Sequence, residues 1–194
     1  MTGTFPWYVA RAAGIVSWTL LAAATLWGLA LSTHALGKRP RPNWLLDLHR
    51  WLGGLAVVFT GVHVVALLTD TYVHFGVASV LVPFASAWHP AAVAWGVVAL
   101  YLLVAVELTS LARAHLPKIV WRRVHFASFA LFVMATIHGL TAGTDTKSAM
   151  ARVVVMVVGS VFVGLTAVRI AESVRPEAPA PRKPPVRQRL MTDH

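Results

Sequence analysis

Four histidines form two pairs inside apolar segments of the sequence. His49 and His63 are 14 residues apart, and His125 and His138 are 13 residues apart. In an α-helix each step covers about 20 Å, so each segment would carry one imidazole near each face of a bilayer. Ionisable side chains inside a membrane are costly and are most often functional. The spacing therefore predicts two neighbouring helices whose imidazoles meet at two levels of a membrane.

The number of ligands at each level indicates heme rather than a bare metal ion. A zinc or non-heme iron site needs three or four converging protein ligands, whereas each level offers two imidazoles. A porphyrin supplies four nitrogens of its own and needs only two axial ligands. Gly53, Ala56 and Thr60 share the helix face between His49 and His63, and such small residues leave room for a flat macrocycle. We therefore expect two hemes.

The two helices differ in how well they match this geometry. On an ideal helix, 14 residues bring His63 back to within about 40° of the face of His49, but 13 residues leave His138 rotated by about 140° from His125. The second pair therefore requires a π-bulge, local unwinding near Gly139 or an outer heme that is rotated differently.

The composition describes a membrane protein. Of 194 residues, 57% are hydrophobic and 12% are charged, which predicts one integral helical domain. The absence of cysteine excludes disulfides, iron–sulfur clusters and covalently attached c-type heme. The net charge of +10 lies in loops and the C-terminal tail, so it indicates membrane topology and anionic lipid, not nucleic acid.

The apolar runs predict an all-α membrane protein. We expect a bundle of about five transmembrane helices at residues 8–31, 51–68, 91–108, 124–140 and 153–170. A sixth apolar segment, 76–88, is short and contains Pro83, which favours an interfacial or re-entrant helix. Residues 1–174 would form the heme-binding domain. The basic, proline-rich tail at 175–194 should be disordered and cytoplasmic.

Positive charge orients this bundle. With five spans, 14 of the 17 basic residues fall on one side, which the positive-inside rule makes cytoplasmic. They are Lys38, Arg39, Arg41 and Arg50 in the first loop, Arg113, Lys118, Arg122 and Arg123 in the third, and Arg169, Arg175, Arg182, Lys183, Arg187 and Arg189 near the C-terminus. The N-terminus would lie outside a bacterial plasma membrane, and the C-terminus would be cytoplasmic.

The same topology assigns partners to the histidines. The second and fourth spans run in the same direction, so His49 lies level with His125 at the inner face and His63 with His138 at the outer face. A sixth span would pair His49 with His138 instead. Arg50, Arg122 and Arg123 adjoin the inner ligands and could bind heme propionates, although a role in topology is at least as good an interpretation.

Other polar and aromatic residues have weaker interpretations. His74 and His89 share the outer loop with Tyr72, where a metal or acceptor contact is a minority interpretation against ordinary loop residues. His34 is predicted to be interfacial, and no role is assigned to His115. Three phenylalanines could lie between the hemes, although packing is the commoner use of such residues: Phe59, Phe129 and Phe132.

Several short motifs resemble the ferric reductase-like transmembrane domain superfamily. They are LHRWLG at 48–53 with the step to His63, LTS at 108–110, WRRVH at 121–125 and IHG at 137–139. The superfamily includes ferric reductases, NADPH oxidases and the heme subunit of the methionine-sulfoxide reductase system, and the resemblance covers about residues 45–142. The unequal steps of 14 and 13 residues between histidines are also the pattern of the superfamily. The resemblance implies bis-histidine b-type hemes that carry electrons from a cytoplasmic reduced flavin to an acceptor outside.

The sequence departs from the larger members of that superfamily, which continue into flavin and nicotinamide domains. No glycine-rich dinucleotide motif is present in the tail. We therefore expect the donor to be a separate cytoplasmic flavoprotein reductase that supplies FAD or FMN, or the quinone pool. An extracytoplasmic protein could accept the electrons. The chain would then be an oxidoreductase component that acts with a partner.

Two other classes of function stay open. A histidine-based proton or metal-ion transporter usually has buried carboxylates along its pathway, and none lies mid-span in this sequence. A heme-free structural membrane subunit would explain the helices but not the paired histidines.

Overall fold

The computed structural model describes residues 5–33, 42–71, 73 and 75–174. The helices of this part of the chain are α1 (Phe5–Ser32), α2 (Asn43–Leu68), the short α3 (Val77–Leu81), α4 (Pro90–Leu111), α5 (Lys118–Ala142) and α6 (Ala149–Val174). All except α3 are long and apolar enough to cross a membrane, and no strand occurs among the described residues. The predicted all-α fold with five spans is confirmed. The tail at 175–194 and residues His34, Tyr72 and His74 lie outside the described residues.

The doubtful sixth segment does not span. Its helix is only five residues long, and the chain turns at Pro83 and at Phe84, which has a φ of 67°. A proline cannot donate the backbone hydrogen bond that would continue the helix. The segment 76–88 therefore only connects α2 to α4. With five spanning helices, α2 and α5 run in the same direction.

Both histidine-bearing helices begin earlier than the apolar runs suggest. α2 starts at Asn43, directly after Pro42, and α5 starts at Lys118, directly after Pro117. The charged residues in the first two turns interrupt the apolar pattern without breaking the helix, because long charged side chains near a helix end can reach water. His49 and His125 consequently lie about two turns inside their helices.

The helices associate as two close pairs. α1 packs along α2, and α4 packs along α5, while α1 also touches α5 and α6. Several buried residues of α1 are alanines, whose small side chains let helices approach closely. α6 buries none of its residues, which suits an apolar helix that faces lipid.

The two histidine helices themselves, α2 and α5, pack mainly against other helices and not against each other. They belong to different helix pairs, and α1 and α4 lie beside them. A space is therefore left between α2 and α5, and the histidine side chains reach into it from both sides.

Candidate functional site

His63 from α2 and His138 from α5 meet at one end of the bundle. Their ring centroids are 6.3 Å apart, and the ring planes are nearly perpendicular, at 76°. Each Nδ1 donates a hydrogen bond to a backbone carbonyl of a neighbouring helix, His63 to Ala10 at 2.6 Å and His138 to Ala92 at 2.8 Å. A carbonyl oxygen can only accept, so Nδ1 carries the proton and Nε2 keeps its lone pair. Both Nε2 atoms are therefore available to bind a metal.

His49 and His125 meet in the same way at the other end. Their centroids are 6.0 Å apart, with an interplanar angle of 74°. His49 Nδ1 donates to the carbonyl of Ala24 at 3.1 Å. His125 differs, since its Nδ1 is buried and has no hydrogen-bond partner among the described residues. Its ring instead stacks on Trp121, with centroids 5.1 Å apart.

The separation within each pair matches two imidazoles that share one metal. A metal–nitrogen bond is about 2 Å long and the ring centroid lies about 1 Å beyond the nitrogen, so two rings on opposite sides of one ion are about 6 Å apart. Within the described residues, no group of three or more His, Cys, Asp or Glu side chains converges on one point. The arrangement thus suits a metal whose remaining ligands come from a cofactor.

A cavity of about 470 Å³ lies at the level of His63 and His138. This volume is within the range of about 300–1,000 Å³ that is usual for small-molecule and cofactor sites. Trp88 lines the cavity, and so does an ion pair between Arg11 of α1 and Asp145 of the turn between α5 and α6. The Arg11 Nε also donates to Asp145 at 3.1 Å. This level therefore combines apolar walls with one charged pair.

Three glycines lie directly against the imidazoles, and sequence reasoning missed them. They are Gly14 of α1 against His63, Gly28 of α1 against His49, and Gly96 of α4 against His138. Each glycine comes four residues after the alanine whose carbonyl accepts the hydrogen bond of that histidine. The spacing Ala-x-x-x-Gly, shared by the three sites, was the available signal, and the sequence has it a fourth time at Ala135 and Gly139.

The three arginines predicted to bind propionates lie on the surface. Arg50 donates to Asp47 of its own helix at 3.1 Å, and both side chains are exposed. Arg122 and Arg123 are exposed as well. Their proposed contact with a propionate stays a prediction.

Two other arginines lie closer to the His125 ring system. The guanidinium of Arg113 lies 4.5 Å above the ring of Trp121, which itself stacks on His125. Arg169 of α6 lies 5.0 Å from the ring of Phe126 and donates to Ser32 at 3.0 Å. These contacts could not be predicted from the sequence, because they join residues from separate elements of the fold.

Side chains between the two levels pack tightly. Trp18 stacks on Phe132 with centroids 6.4 Å apart and donates through Nε1 to Thr136 at 3.0 Å. The hydroxyls of Ser17 and Thr60 are 2.6 Å apart. Phe132 is therefore part of the core between the levels, packed against α1.

The other predicted positions are distributed as follows. Phe59 is half-buried, and the ring centroids of Phe129 and Phe162 are 5.7 Å apart. His115 belongs to the 3₁₀ turn Arg113–His115. His89 has a φ of 42° and directly precedes α4, and its ring centroid lies 4.5 Å from that of Trp88.

Gly53 and Glu107 form a contact that the sequence did not suggest. The carboxylate of Glu107 lies 2.6 Å from the position that a Cβ on Gly53 would take. Glu107 of α4 therefore occupies the space beside α2, one turn further along that helix than His49.

The 13-residue step from His125 to His138 involves no break in the helix. α5 is α-helical without interruption over Lys118–Ala142, so neither a π-bulge nor unwinding at Gly139 occurs. His138 lies against Gly96 of α4, whereas His125 stacks on Trp121 of its own helix. The two rings therefore leave α5 in different directions.

Comparison with known protein families gives a match. Residues 13–136, well over half of the chain, match the family model described as the ferric reductase like transmembrane component. This range includes His49, His63 and His125 and ends two residues before His138. None of the curated proteins and none of the solved structures matches the chain.

Proposed function

Since the chain belongs to the family of ferric reductase-like transmembrane components, we propose that it is an electron-transfer protein with two b-type hemes. His49 and His125 would hold one heme, and His63 and His138 would hold the other. Electrons would enter from a cytoplasmic reduced flavin, flavoprotein or quinol and leave to an acceptor on the outside. The N-terminus would be outside and the C-terminus cytoplasmic.

The observation that carries this proposal is the repeated pairing of imidazoles across the space between α2 and α5. The centroid separations of 6.0 Å and 6.3 Å are nearly equal, although the two pairs are formed by different residues at opposite ends of the bundle. Packed helices do not need such a gap, and a porphyrin with two axial ligands would fill it.

The protein's own groups prepare the histidines for this role. The bonds from Nδ1 to the carbonyls of Ala10, Ala24 and Ala92 fix the ring orientation and keep the proton away from Nε2. Apolar walls around His63 and His138 limit the access of water. Bound heme would supply reversible one-electron chemistry at its iron, with a potential set by axial ligands, burial and hydrogen bonds.

The alternative of a metal-ion transporter has less support in the structure. Each level presents two imidazoles, and in the described part of the chain no third His, Cys, Asp or Glu completes a metal site. A bare divalent ion would remain under-coordinated there.

Spectroscopy of the purified full-length protein tests the proposal. We expect a reduced-minus-oxidised spectrum with b-type bands, and a heme-to-protein ratio of two after reconstitution with heme. The His115→Ala variant is a matched control, because His115 lies in a surface turn and should retain both hemes. Protein that folds but shows no b-type bands after reconstitution would overturn the proposal, and a ratio of one would overturn the two-heme form of it.

The side of electron entry is tested separately. In sealed vesicles with the C-terminus outward, we expect reduced flavin with a flavin reductase, or a quinol, to reduce the hemes. Reduction only from the opposite side would contradict the proposed direction.

A further inference from the structure

We propose that Gly14, Gly28 and Gly96 are positioning residues that hold three of the four histidines in the orientation in which Nε2 faces the heme iron. The inference rests on the proposed function. It adds specific residues on α1 and α4, neither of which carries a ligand, to the heme-binding machinery.

One arrangement of an alanine carbonyl, a glycine and an imidazole occurs three times in the bundle. A helix that packs beside the histidine offers an alanine carbonyl as acceptor and a glycine one turn later as a flat surface. The three sets are Ala10 and Gly14 with His63, Ala24 and Gly28 with His49, and Ala92 and Gly96 with His138. α1 contributes two of these sets, and α4 contributes the third. The same solution on two helices indicates a common requirement.

Helix geometry explains why the glycine follows the carbonyl by four residues. The carbonyl of residue i points along the helix towards residue i+4 and accepts its N–H. The Cβ of residue i+4 tilts back towards the helix N-terminus, so it covers that carbonyl from the side. Glycine has no Cβ, and the second lone pair of the carbonyl becomes accessible to a side chain from another helix. An imidazole can then lie flat on the backbone and donate to this oxygen.

The distances show that a methyl group would not fit without displacing the rings. A Cβ on Gly14 would lie 3.0 Å from His63 Nδ1, and one on Gly28 would lie 3.0 Å from His49 Cε1. On Gly96 the Cβ would lie 2.7 Å from both Nδ1 and Cε1 of His138. Ordinary van der Waals contacts begin at about 3.5 Å, so each ring would have to move away from the carbonyl that holds it.

The arrangement is unequal between the two levels. His63 and His138 both have a carbonyl partner, whereas at the other level only His49 has one and His125 Nδ1 has none among the described residues. A hydrogen bond from Nδ1 increases the basicity of the coordinating Nε2. Loss of that bond should weaken the ligand and make the midpoint potential of the heme at that level more positive.

Substitution of each glycine by alanine in the full-length protein tests the proposal. We expect Gly14→Ala and Gly96→Ala to alter only the heme of His63 and His138, and Gly28→Ala to alter only the other heme. The readouts are heme per protein, the midpoint potential of each heme and the low-spin EPR signals, which report ring orientation. Gly96→Ala should have the largest effect and lower the ratio from two towards one.

Matched controls come from glycines with open surroundings. Among the described residues, and apart from the backbone of the glycine's own helix and its chain neighbours, nothing lies within 4 Å of a Cβ built on Gly61 of α2 or on Gly164 of α6. Gly61→Ala and Gly164→Ala should therefore keep two hemes with unchanged potentials and EPR signals. If Gly14→Ala, Gly28→Ala and Gly96→Ala behave like these controls, the proposal is wrong.

A double substitution separates positioning of the ring from general helix packing. In the His138→Ala background the methyl of Gly96→Ala meets no imidazole, so it should cause no further loss of heme or of helical content. An equally large effect in both backgrounds, including a failure to fold in both, would overturn the proposal. Wild-type protein without heme would instead refute the proposed function on which the inference rests.

Discussion

Double substitutions of the histidines should reveal which pairs share a heme. Replacing His63 or His138 by alanine should remove one heme and leave the other. Because these two residues face each other, the double variant His63→Ala/His138→Ala should still hold one heme. The double variant His63→Ala/His125→Ala removes one ligand from each level and should hold none.

The distances within and between the two levels decide how many hemes each double variant can hold. Rings within a pair are 6.0 Å or 6.3 Å apart. The two levels are much further apart, because Gly14 and Gly28, which contact one histidine of each level, are separated by 14 residues of α1, or about 21 Å. A histidine of one level therefore cannot replace a lost ligand at the other. The expected heme-to-protein ratios are two for wild type, one for the same-level double variant and zero for the cross-level one.

The assay is heme quantitation as the pyridine hemochrome against protein determined by amino-acid analysis. Each variant is purified in the same detergent and supplied with excess heme before gel filtration. The His115→Ala control should give a ratio of two. Helical content by circular dichroism confirms that each variant is folded.

The opposite pattern would refute the reasoning. If the His63→Ala/His125→Ala protein kept one heme and the His63→Ala/His138→Ala protein kept none, the pairing would be wrong. A single substitution that emptied both levels would show that they are not independent sites.

Two further predictions concern topology and the core. The chain lacks cysteine, and Leu111 and Met150 are 80% and 79% exposed, so the single variants Leu111→Cys and Met150→Cys each offer one thiol for labelling. A membrane-impermeant maleimide should react with these two thiols from opposite sides of the membrane. Labelling of both from the same side would contradict the five-span topology. Leu131 is 2% exposed, so Leu131→Ala leaves a cavity in the core and should lower the free energy of unfolding in detergent by about 2–5 kcal/mol. Val163→Ala on the exposed face of α6 should have little effect. Equal effects of the two substitutions would contradict the assigned core.

Local sequence patterns predicted the main features of the fold. Apolar runs of spanning length identified the five long helices, and Pro83 with the short apolar run identified the non-spanning segment. These predictions succeed because a membrane requires each crossing helix to be apolar along its whole length. The beginnings of α2 and α5 were missed, because charged residues such as Arg50 and Arg122 end an apolar pattern without ending a helix.

The surroundings of the histidines could not be predicted in the same way. Each hydrogen bond to an imidazole joins residues that are 25 or more positions apart, such as His63 and Ala10. The sequence does not state which helix packs beside which, or how it is rotated. Gly14 and Gly96 look like ordinary helix-packing glycines until the packing is known.

The sequence by itself determined the number of spans, their order and the positions of the four histidines along their helices, because these depend on hydropathy and on the rise of a helix. Only the tertiary structure decided which backbone groups lie against each ring. It placed α1 and α4 beside the histidine helices, gave three imidazoles a carbonyl acceptor and left His125 without one among the described residues. The physical reason is that hydrogen bonds and close contacts require atoms to be placed to within a few tenths of an ångström. That placement depends on how each helix is rotated against its neighbours, which a one-dimensional pattern does not specify.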